Sequence, residues 1–300
     1  MISALAPVFA AILLGYALSR FRFPGEGFWP QAERITYFVL FPALLINKLS
    51  TAEFGTEATA MATALIGTGL ITALGLLALR RRLPFEGPAF TSVFQGSIRV
   101  NTYVGLAGAA AMFGDQGIAL SAVALLAIVS LNNLLCVPVL ARYGSKASGS
   151  SQGLLLELMR NPLILGCVAG FTLNASGLPL PSAFHDTLAV IGRAALPMGL
   201  LAVGAGLKPG SIAQGLPGIA LSSAIKLMVF PLLAMALCIL LGVDGPALTV
   251  AVLFCALPTA SSCYILARQL GGDTTLMATI ITVQTVASAL TIPIFVGLVN

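Results

Sequence analysis

The sequence predicts an all-α polytopic membrane protein, on the evidence of its composition, its apolar runs and an internal repeat. Hydrophobic residues make up 58% of the 300 residues and charged residues only 8%, whereas a soluble domain carries about 25% charged residues. A membrane-spanning helix needs about 20 apolar residues, so ten of them would occupy about two thirds of the chain. The remaining connections are short, and no separate soluble domain is expected.

Charged residues and Gly/Pro clusters divide the chain into ten candidate spans. Boundaries taken from a sequence are reliable only to a few residues. The predicted spans are 2–20, 31–48, 58–80, 88–113, 117–141, 155–174, 186–207, 213–242, 246–269 and 274–299. A polar, Gly/Ser-rich linker at 143–153 lies at the midpoint of the chain.

The two halves of the chain repeat one pattern of prolines and glycines. Each repeat holds five spans, and an odd number reverses the direction in which the second copy enters the membrane. We therefore predict two inverted five-helix repeats, a common design of secondary transporters, with 1–143 as the first, 144–153 as a short cytoplasmic linker and 154–300 as the second. The matching pairs, each 155 positions apart, are Pro7 and Pro162, Gly15 and Gly170, Pro24 and Pro179, Pro42 and Pro197, and Pro138 and Pro293.

The distribution of basic residues predicts the orientation. If the N-terminus is outside, the cytoplasmic segments hold 11 of the 15 Lys and Arg residues and the outer loops hold only Lys48. Cytoplasmic loops of membrane proteins carry such an excess of basic residues. The sequence therefore predicts a multi-pass protein of the cell membrane with both termini outside.

Two spans, the fourth and the ninth, carry small and polar residues near their middle. These segments are QGSIRVNTYVGLAG (95–108) and CALPTASSCYILA (255–267), where Pro258 removes a helical donor. A broken helix is tolerated at membrane depth where it is buried in protein or lines a cavity, and its free N–H and carbonyl groups favour anions and cations respectively. Two breaks that meet at the midplane would form a polar site. Two kinks that serve packing alone are the alternative.

Several segments resemble the auxin efflux carrier family, which includes bacterial malonate and malate permeases within the wider bile acid/arsenite/auxin transporter superfamily. ERITYFVLFPALLINKLS is similar to the family's second helix, MRNPLILGCVAG to its sixth and LPMGLLAVGAGLKPG to its seventh. ALPTASSCYILARQLGGD and TIPIFVGL resemble the ninth and tenth. The matches follow one another along the chain and cover nearly all of it.

The resemblance implies a scaffold of helices 1, 2, 6 and 7, which often forms a homodimer, and a transport domain of helices 3–5 and 8–10. Broken crossing helices 4 and 9 would hold the substrate and move with the transport domain as an elevator. By this resemblance the breaks lie at Val100 and Asn101 and at Leu257 and Pro258. Asn101 matches the family's Asn, whereas Val100 stands where plant members have Pro.

Six side chains around the breaks are candidate substrate contacts. Asn101 offers two donors and an acceptor, with helix–helix bonding as the alternative. A charge at the depth of Arg99 is costly unless it faces water or an anion. The hydroxyl groups of Ser261 and Ser262, after the second break, could donate to a carboxylate or bond back to their own helix. Tyr103 and Tyr264 could close over a ligand.

Two further polar side chains lie within spans. Gln284 could contact substrate or bond between helices, and Lys226 could balance an anion or extend toward the membrane surface. All ten acidic residues fall in loops or at span ends, so we expect no carboxylate-based coupling and little sodium dependence. No enzyme motif, metal site or cofactor site is recognised.

The sequence thus predicts a secondary transporter that moves a small organic anion, such as a carboxylate, by an elevator-type alternating-access mechanism. A sodium- or proton-coupled symporter of the bile-acid-transporter type is the alternative. An intramembrane enzyme or a non-transporting sensor is a more distant one. The expected partners are the organic anion, the lipid bilayer and a second copy of the chain, and no nucleic acid. The predicted substrate-binding residues are Asn101, Arg99, Tyr103, Pro258, Ser261, Ser262, Tyr264, Gln284 and Lys226.

Overall fold

A computed structural model describes residues 2–53, 55, 57–145, 161–177, 181–207 and 212–299. These residues form helices joined by turns and loops, with no strand among them, as predicted. The α-helices are α1 (Ile2–Arg20), α2 (Phe28–Ile35), α3 (Phe41–Leu49), α4 (Glu57–Leu79), α5 (Gly87–Ile98), α6 (Thr102–Tyr143), α7 (Pro162–Ser176), α8 (Ser182–Arg193), α9 (Ala195–Ala205), α10 (Ile212–Ala224), α11 (Phe230–Leu240), α12 (Gly245–Ala256), α13 (Ser262–Leu270) and α14 (Thr274–Leu298).

Many of these helices are suited to a bilayer. Five helical stretches among the described residues are long and apolar enough to cross one, and three shorter helices are similarly apolar. The prediction of an all-helical, multi-pass membrane protein is therefore confirmed, whereas ten spans and the inverted repeat stay predictions. The long stretches are Glu57–Arg82, Gly87–Tyr143, Ser182–Ala205, Gly215–Leu240 and Thr274–Leu298, and the short ones are Ala4–Arg20, Pro162–Ser176 and Gly245–Ala256.

The longest helix, α6, is interrupted at Gly114. The backbone there has φ 58° and ψ −133°, a conformation that glycine adopts without the steric cost that a side chain brings. This interruption lies between the predicted fourth and fifth spans, 88–113 and 117–141. A single glycine thus separates them.

Two helical stretches contain a π turn directly before a Phe-Pro pair. Thr36–Leu40 joins α2 to α3, and Ile225–Val229 joins α10 to α11. Proline has no N–H and its ring clashes with the carbonyl four residues earlier, and the wider π turn accommodates both effects. The amides of Phe41 and Phe230 accordingly donate to the carbonyls five residues earlier.

The chain forms two compact units. Unit 1 comprises Met1–Gly55, Tyr103–Leu126 and Leu156–Gly206, and unit 2 comprises Thr56–Thr102, Ala127–Leu155 and Leu207–Asn300. The first, second, sixth and seventh predicted spans fall in unit 1. Unit 1 also takes in 103–126, which the family resemblance assigns to the transport domain.

In unit 1, α1 and α9 pack closely through glycines. A Cβ atom at Gly204 would collide with backbone atoms of Ile12 and Tyr16, and one at Gly15 with the backbone of Leu201. Small residues allow such close approach of helices in membranes, where packing rather than the hydrophobic effect drives association. The contact between α1 and α9 therefore depends on these two glycines.

In unit 2, apolar side chains of α5, α10, α13 and α14 form a shared core. Val93, Ile219, Cys263, Met277 and Ile280 are buried together there. Polar groups join the connections at one end of the unit: the Ser145 hydroxyl donates to the Gly271 carbonyl at 3.1 Å, and the Asp273 amide donates to the Pro88 carbonyl at 3.1 Å. The core and these bonds fix α5 and α13 relative to each other.

Replacing Gly204 with Ala is expected to destabilise the protein, because the added methyl meets the backbone of α1. Overpacking of this kind costs about 1–3 kcal/mol, and each kcal/mol lowers Tm by about 2–4 °C in proteins of 150–250 residues. The matched control is Gly75→Ala in α4, where an added Cβ meets no atom within 4 Å. Thermal unfolding in detergent measures both, and an equal Tm for the two variants would contradict the packing argument.

Candidate functional site

The fourth span is broken between α5 and α6. Arg99 leaves the helix with extended backbone angles (φ −74°, ψ 149°), and α6 begins only at Thr102. Val100 and Asn101, which the sequence places at the break, lie in this gap. No proline is present to end α5, so the break needs a tertiary partner.

The ninth span is broken between α12 and α13. Leu257 is also extended (φ −62°, ψ 149°), as expected for a residue that precedes proline. Pro258, Thr259 and Ala260 follow without helical structure, and α13 starts at Ser262. Here the local sequence accounts for the break.

A backbone hydrogen bond joins the two breaks. The backbone amide of Asn101 donates to the backbone carbonyl of Pro258 at 2.8 Å. Asn101 is 3% exposed, and Leu257 and Thr259 are fully buried. Both partners belong to unit 2, so the crossing is complete within one compact unit.

Gln284 of α14 ties the crossing together. Its Oε1 accepts from the Thr259 amide at 3.0 Å and from the Thr259 hydroxyl at 2.6 Å. Its Nε2 donates to the Gly96 carbonyl at 2.9 Å and to Ser222 Oγ at 3.1 Å. Both amide protons and the oxygen are thus used within the protein. The structure therefore favours the interhelical alternative for Gln284 over the predicted substrate contact.

Thr259 and Gly96 are site residues that the sequence analysis did not single out. The Thr259 hydroxyl also lies 2.9 Å from the Gly96 carbonyl, so its single proton is shared between this carbonyl and Gln284 Oε1. Gly96 has no room for a side chain, because a Cβ atom would meet Ser222 Oγ and Ile280. A threonine directly after Pro258 and a glycine one turn before a break were the available signals.

Lys226 belongs to the π turn Ile225–Val229 of unit 2, and its side chain reaches the C-terminal end of α12. Its Nζ donates to the Cys255 carbonyl at 3.1 Å and lies 4.1 Å from the centre of the Phe230 ring. The side chain is fully buried. Among the described residues, neither of the two ion pairs includes Lys226. The amino group therefore lies inside the protein and does not extend to its surface.

Arg99 is half-buried beside the first break. Its Nη1 donates to Asn133 Oδ1 of α6 at 3.0 Å, so a neutral amide is one of the groups that hold the guanidinium there. One turn earlier, the amide nitrogen and oxygen of Gln95 are buried and have no hydrogen-bond partner among the described residues. Polar groups thus cluster on this side of α5.

Residues at the start of α13 are more accessible than the crossing itself. Ser261 is half-buried and Ser262 exposed, and within the described part of the chain neither hydroxyl is assigned a hydrogen bond. Tyr264 is half-buried and packs against the shared core of unit 2. The N-terminal end of α13 therefore offers donors on an accessible side.

Tyr103 belongs to unit 1. Its ring stacks on Phe41 of α3, with centroids 4.7 Å apart and an angle of 9° between the planes. Gly199 of α9 allows this stack, because a Cβ atom there would meet both rings at 3.0–3.4 Å. One face of the Tyr103 ring is therefore covered within unit 1, and its predicted substrate contact stays a prediction.

The helix ends at the two breaks differ in charge and in whether the protein itself bonds them. The C-terminal ends of α5 and α12, which are partially negative, are bonded from within the protein by Gln284 and Thr259 and by Lys226. The N-terminal end of α13, which is partially positive, carries the two serine hydroxyls that have no assigned bond to the described residues. No group of His, Cys, Asp or Glu suited to a metal ion occurs among the described residues. This arrangement is suited to an anion.

Comparison with known proteins shows the family to which the chain belongs. A family model described as "Membrane transport protein" matches residues 146–296. The chain belongs to this family. It is therefore a membrane transporter and no enzyme, and the resemblance to the auxin efflux carrier family is confirmed.

Two relatives extend the similarity to almost the whole chain. A protein of Rhizobium meliloti (strain 1021), named "Putative malonate transporter", is 27% identical over 95% of this chain and 93% of its own length. An "Uncharacterized transporter" of Methanothermobacter thermautotrophicus is 22% identical over 96% of this chain and 95% of its own. The transporter is thus similar in full length to other transporters.

Replacing Gln284 with Leu is expected to lower Tm, because the Thr259 amide and the Gly96 carbonyl each lose a partner in a buried place. Each buried group left without a partner costs about 1–3 kcal/mol. The matched control is Gln269→Leu on the exposed side of α13, which removes no assigned bond. If thermal unfolding gave both variants the wild-type Tm, Gln284 would not hold the crossing.

Proposed function

We propose that this transporter is a secondary carrier that moves a small organic anion, such as a dicarboxylate, across the cell membrane by alternating access. The observation that carries the proposal is the crossing of two broken helices through the bond between Asn101 and Pro258. Broken helices at the membrane midplane form the substrate sites of many secondary transporters. The name of the Rhizobium relative supports a dicarboxylate as the first substrate to test.

The substrate's carboxylate would bind at the start of α13, beside the crossing. The hydroxyls of Ser261 and Ser262 and the side-chain amide of Asn101 would supply donors, and Arg99 and Lys226 would supply positive charge. Hydrogen bonds to a charged group are about twice as strong as those between neutral groups. Pro258 contributes by leaving the backbone unwound, and Tyr103 and Tyr264 are the aromatic candidates to cover the ligand.

An elevator-type movement is the proposed route. Unit 2 contains both breaks, their connecting bond and the caps of α5 and α12, so it could carry a bound ligand without dismantling the site. Unit 1, with its close α1–α9 contact, would be the static scaffold, except for 103–126 of α6, which the family resemblance assigns to the moving domain. We also propose that the scaffold forms a homodimer, which only the family resemblance supports.

We further propose ten spans arranged as two inverted repeats, with both termini outside. The bonds at helix ends support this arrangement. In unit 1, Lys48 pairs with Asp115 at 2.9 Å, and Asn47 Nδ2 donates to the His185 carbonyl at 3.1 Å. All four residues belong to predicted outer ends. In unit 2, the bond from Ser145 to Gly271 joins two predicted cytoplasmic connections.

Cysteine labelling tests this topology. A single cysteine at Ser145 should react with a membrane-impermeant reagent from the cytoplasmic side. Single cysteines at Ser182 and Val299 should react from the outside. The five native cysteines are all buried, so background labelling should be low. Labelling of the Ser145→Cys and Val299→Cys variants from the same side would rule out the inverted repeats.

Flux of labelled malonate and related dicarboxylates into liposomes tests the function, with wild-type flux expected to be independent of sodium. A steep sodium requirement would favour the coupled symporter instead, and no flux of any tested anion would count against the carrier.

The Asn101→Ala variant should bind substrate about 10- to 150-fold more weakly, since a hydrogen bond to a charged group contributes about 1.5–3 kcal/mol.

The control for Asn101→Ala is Asn174→Ala. The Asn174 amide donates to the Ser50 and Ala52 carbonyls, so its loss should lower Tm and leave affinity unchanged. Asn101→Ala should instead lower substrate affinity, and it keeps the backbone bond to Pro258, which does not need the side chain. Normal substrate affinity in Asn101→Ala would remove this residue from the site.

A further inference from the structure

The buried ammonium of Lys226 lies where the ninth span is interrupted. The break at Leu257 deprives the last turn of α12 of the amides that would pair with its carbonyls. Cys255 belongs to that turn, and its carbonyl accepts from Lys226 Nζ at 3.1 Å. A cation at a helix C-terminus is favourable, and full burial of the side chain removes competing water.

The second neighbour of the ammonium is also a group that attracts cations. The Phe230 ring centre lies 4.1 Å from Nζ, within the range of a cation–π contact. Lys226 belongs to the π turn Ile225–Val229, and single π turns of this kind are frequent at functional sites. A carbonyl oxygen and an aromatic face thus both lie against Lys226 Nζ, and both are groups that stabilise a positive charge.

The broken end of α5 provides a comparison within the same unit. Its Gly96 carbonyl is bonded by neutral groups, the Gln284 amide and the Thr259 hydroxyl. A neutral donor is therefore sufficient to cap a broken helix in this protein. The charge at α12 calls for a separate explanation.

We propose that the Lys226 ammonium is a built-in cation, which occupies the broken end of α12 in place of a bound metal ion and supplies the positive charge that balances the transported anion. Free carbonyls at the C-terminal ends of broken helices bind coupling cations in other secondary transporters. Here a side chain takes that position, so the site needs no bound sodium. The second half of the proposal rests on the proposed function, whereas the first half does not.

Thermal stability of three purified variants tests the capping role without any substrate. Lys226→Met keeps the length and apolar stem but loses the charge and donors, and its Tm should fall by about 5 °C. Lys226→Arg keeps the charge and should stay near the wild-type Tm. A wild-type Tm for Lys226→Met, or an equal loss in the Met and Arg variants, would overturn the proposal by showing that charge is not what the site requires.

Chemical rescue distinguishes a cation site from general packing. Lys226→Ala leaves a space that propylammonium can fill, so this ion should raise the variant's Tm, whereas tetramethylammonium, which has no N–H donor, should not. The control is Lys48→Ala, which removes an exposed ammonium paired with Asp115 and should not respond. If Lys226→Ala does not fold alone, the same comparison is made by purifying it in either salt. No rescue, or equal rescue by both ions, would overturn the proposal.

Flux measurements test the balancing of the anion. Lys226→Met should transport dicarboxylate about tenfold more slowly than wild type, and propylammonium should restore flux in Lys226→Ala. Normal flux in Lys226→Met would overturn this half of the proposal. If wild type itself moved no anion, the proposed function would fail, while the Tm measurements would still decide the capping role.

Discussion

The hydrogen bond from the Asn101 amide to the Pro258 carbonyl is the contact on which the candidate site depends. Each partner lies in non-helical backbone within a predicted span, where an unpaired polar group is costly in a bilayer. Each break removes helical partners, and the other break supplies one in return. Neither break is therefore independent of the other, and the two have to form together.

Side chains around the crossing donate to the helix-end carbonyls that the bond between Asn101 and Pro258 does not pair. Gln284 and Thr259 bond the Gly96 carbonyl, and Lys226 bonds the Cys255 carbonyl. These partners come from α14, the second break and the π turn. The negative ends of the broken helices are thus occupied from within unit 2, and the donors at the start of α13 stay accessible. The proposed preference for an anion rests on which helix ends the protein covers.

Local sequence predicted the helical fold and a polar interruption in each of the two spans, and the family resemblance placed the breaks within them. Pro258 restricts Leu257 and removes one donor, and the polar run around Asn101 stands out against an apolar span. The partners of the buried polar groups could not be predicted, because they depend on how distant helices pack. Gln284 lies 188 positions from Gly96, and Lys226 lies 29 from Cys255. The stack of Tyr103 on Phe41 likewise needs helices from separate parts of the chain.

The π turn at Ile225–Val229 also affects how this chain is compared with its relatives. One additional residue in a turn rotates everything after it by about 100° around the helix axis relative to a regular α-helix. Side chains of α10 and α11 that lie on the same face of the continuous helix are therefore not spaced in the sequence at multiples of 3.6 residues. A relative whose helix is regular at this point aligns correctly only with a one-residue gap inside the helix. An ungapped alignment would place the wrong residue opposite Lys226 or opposite Phe230.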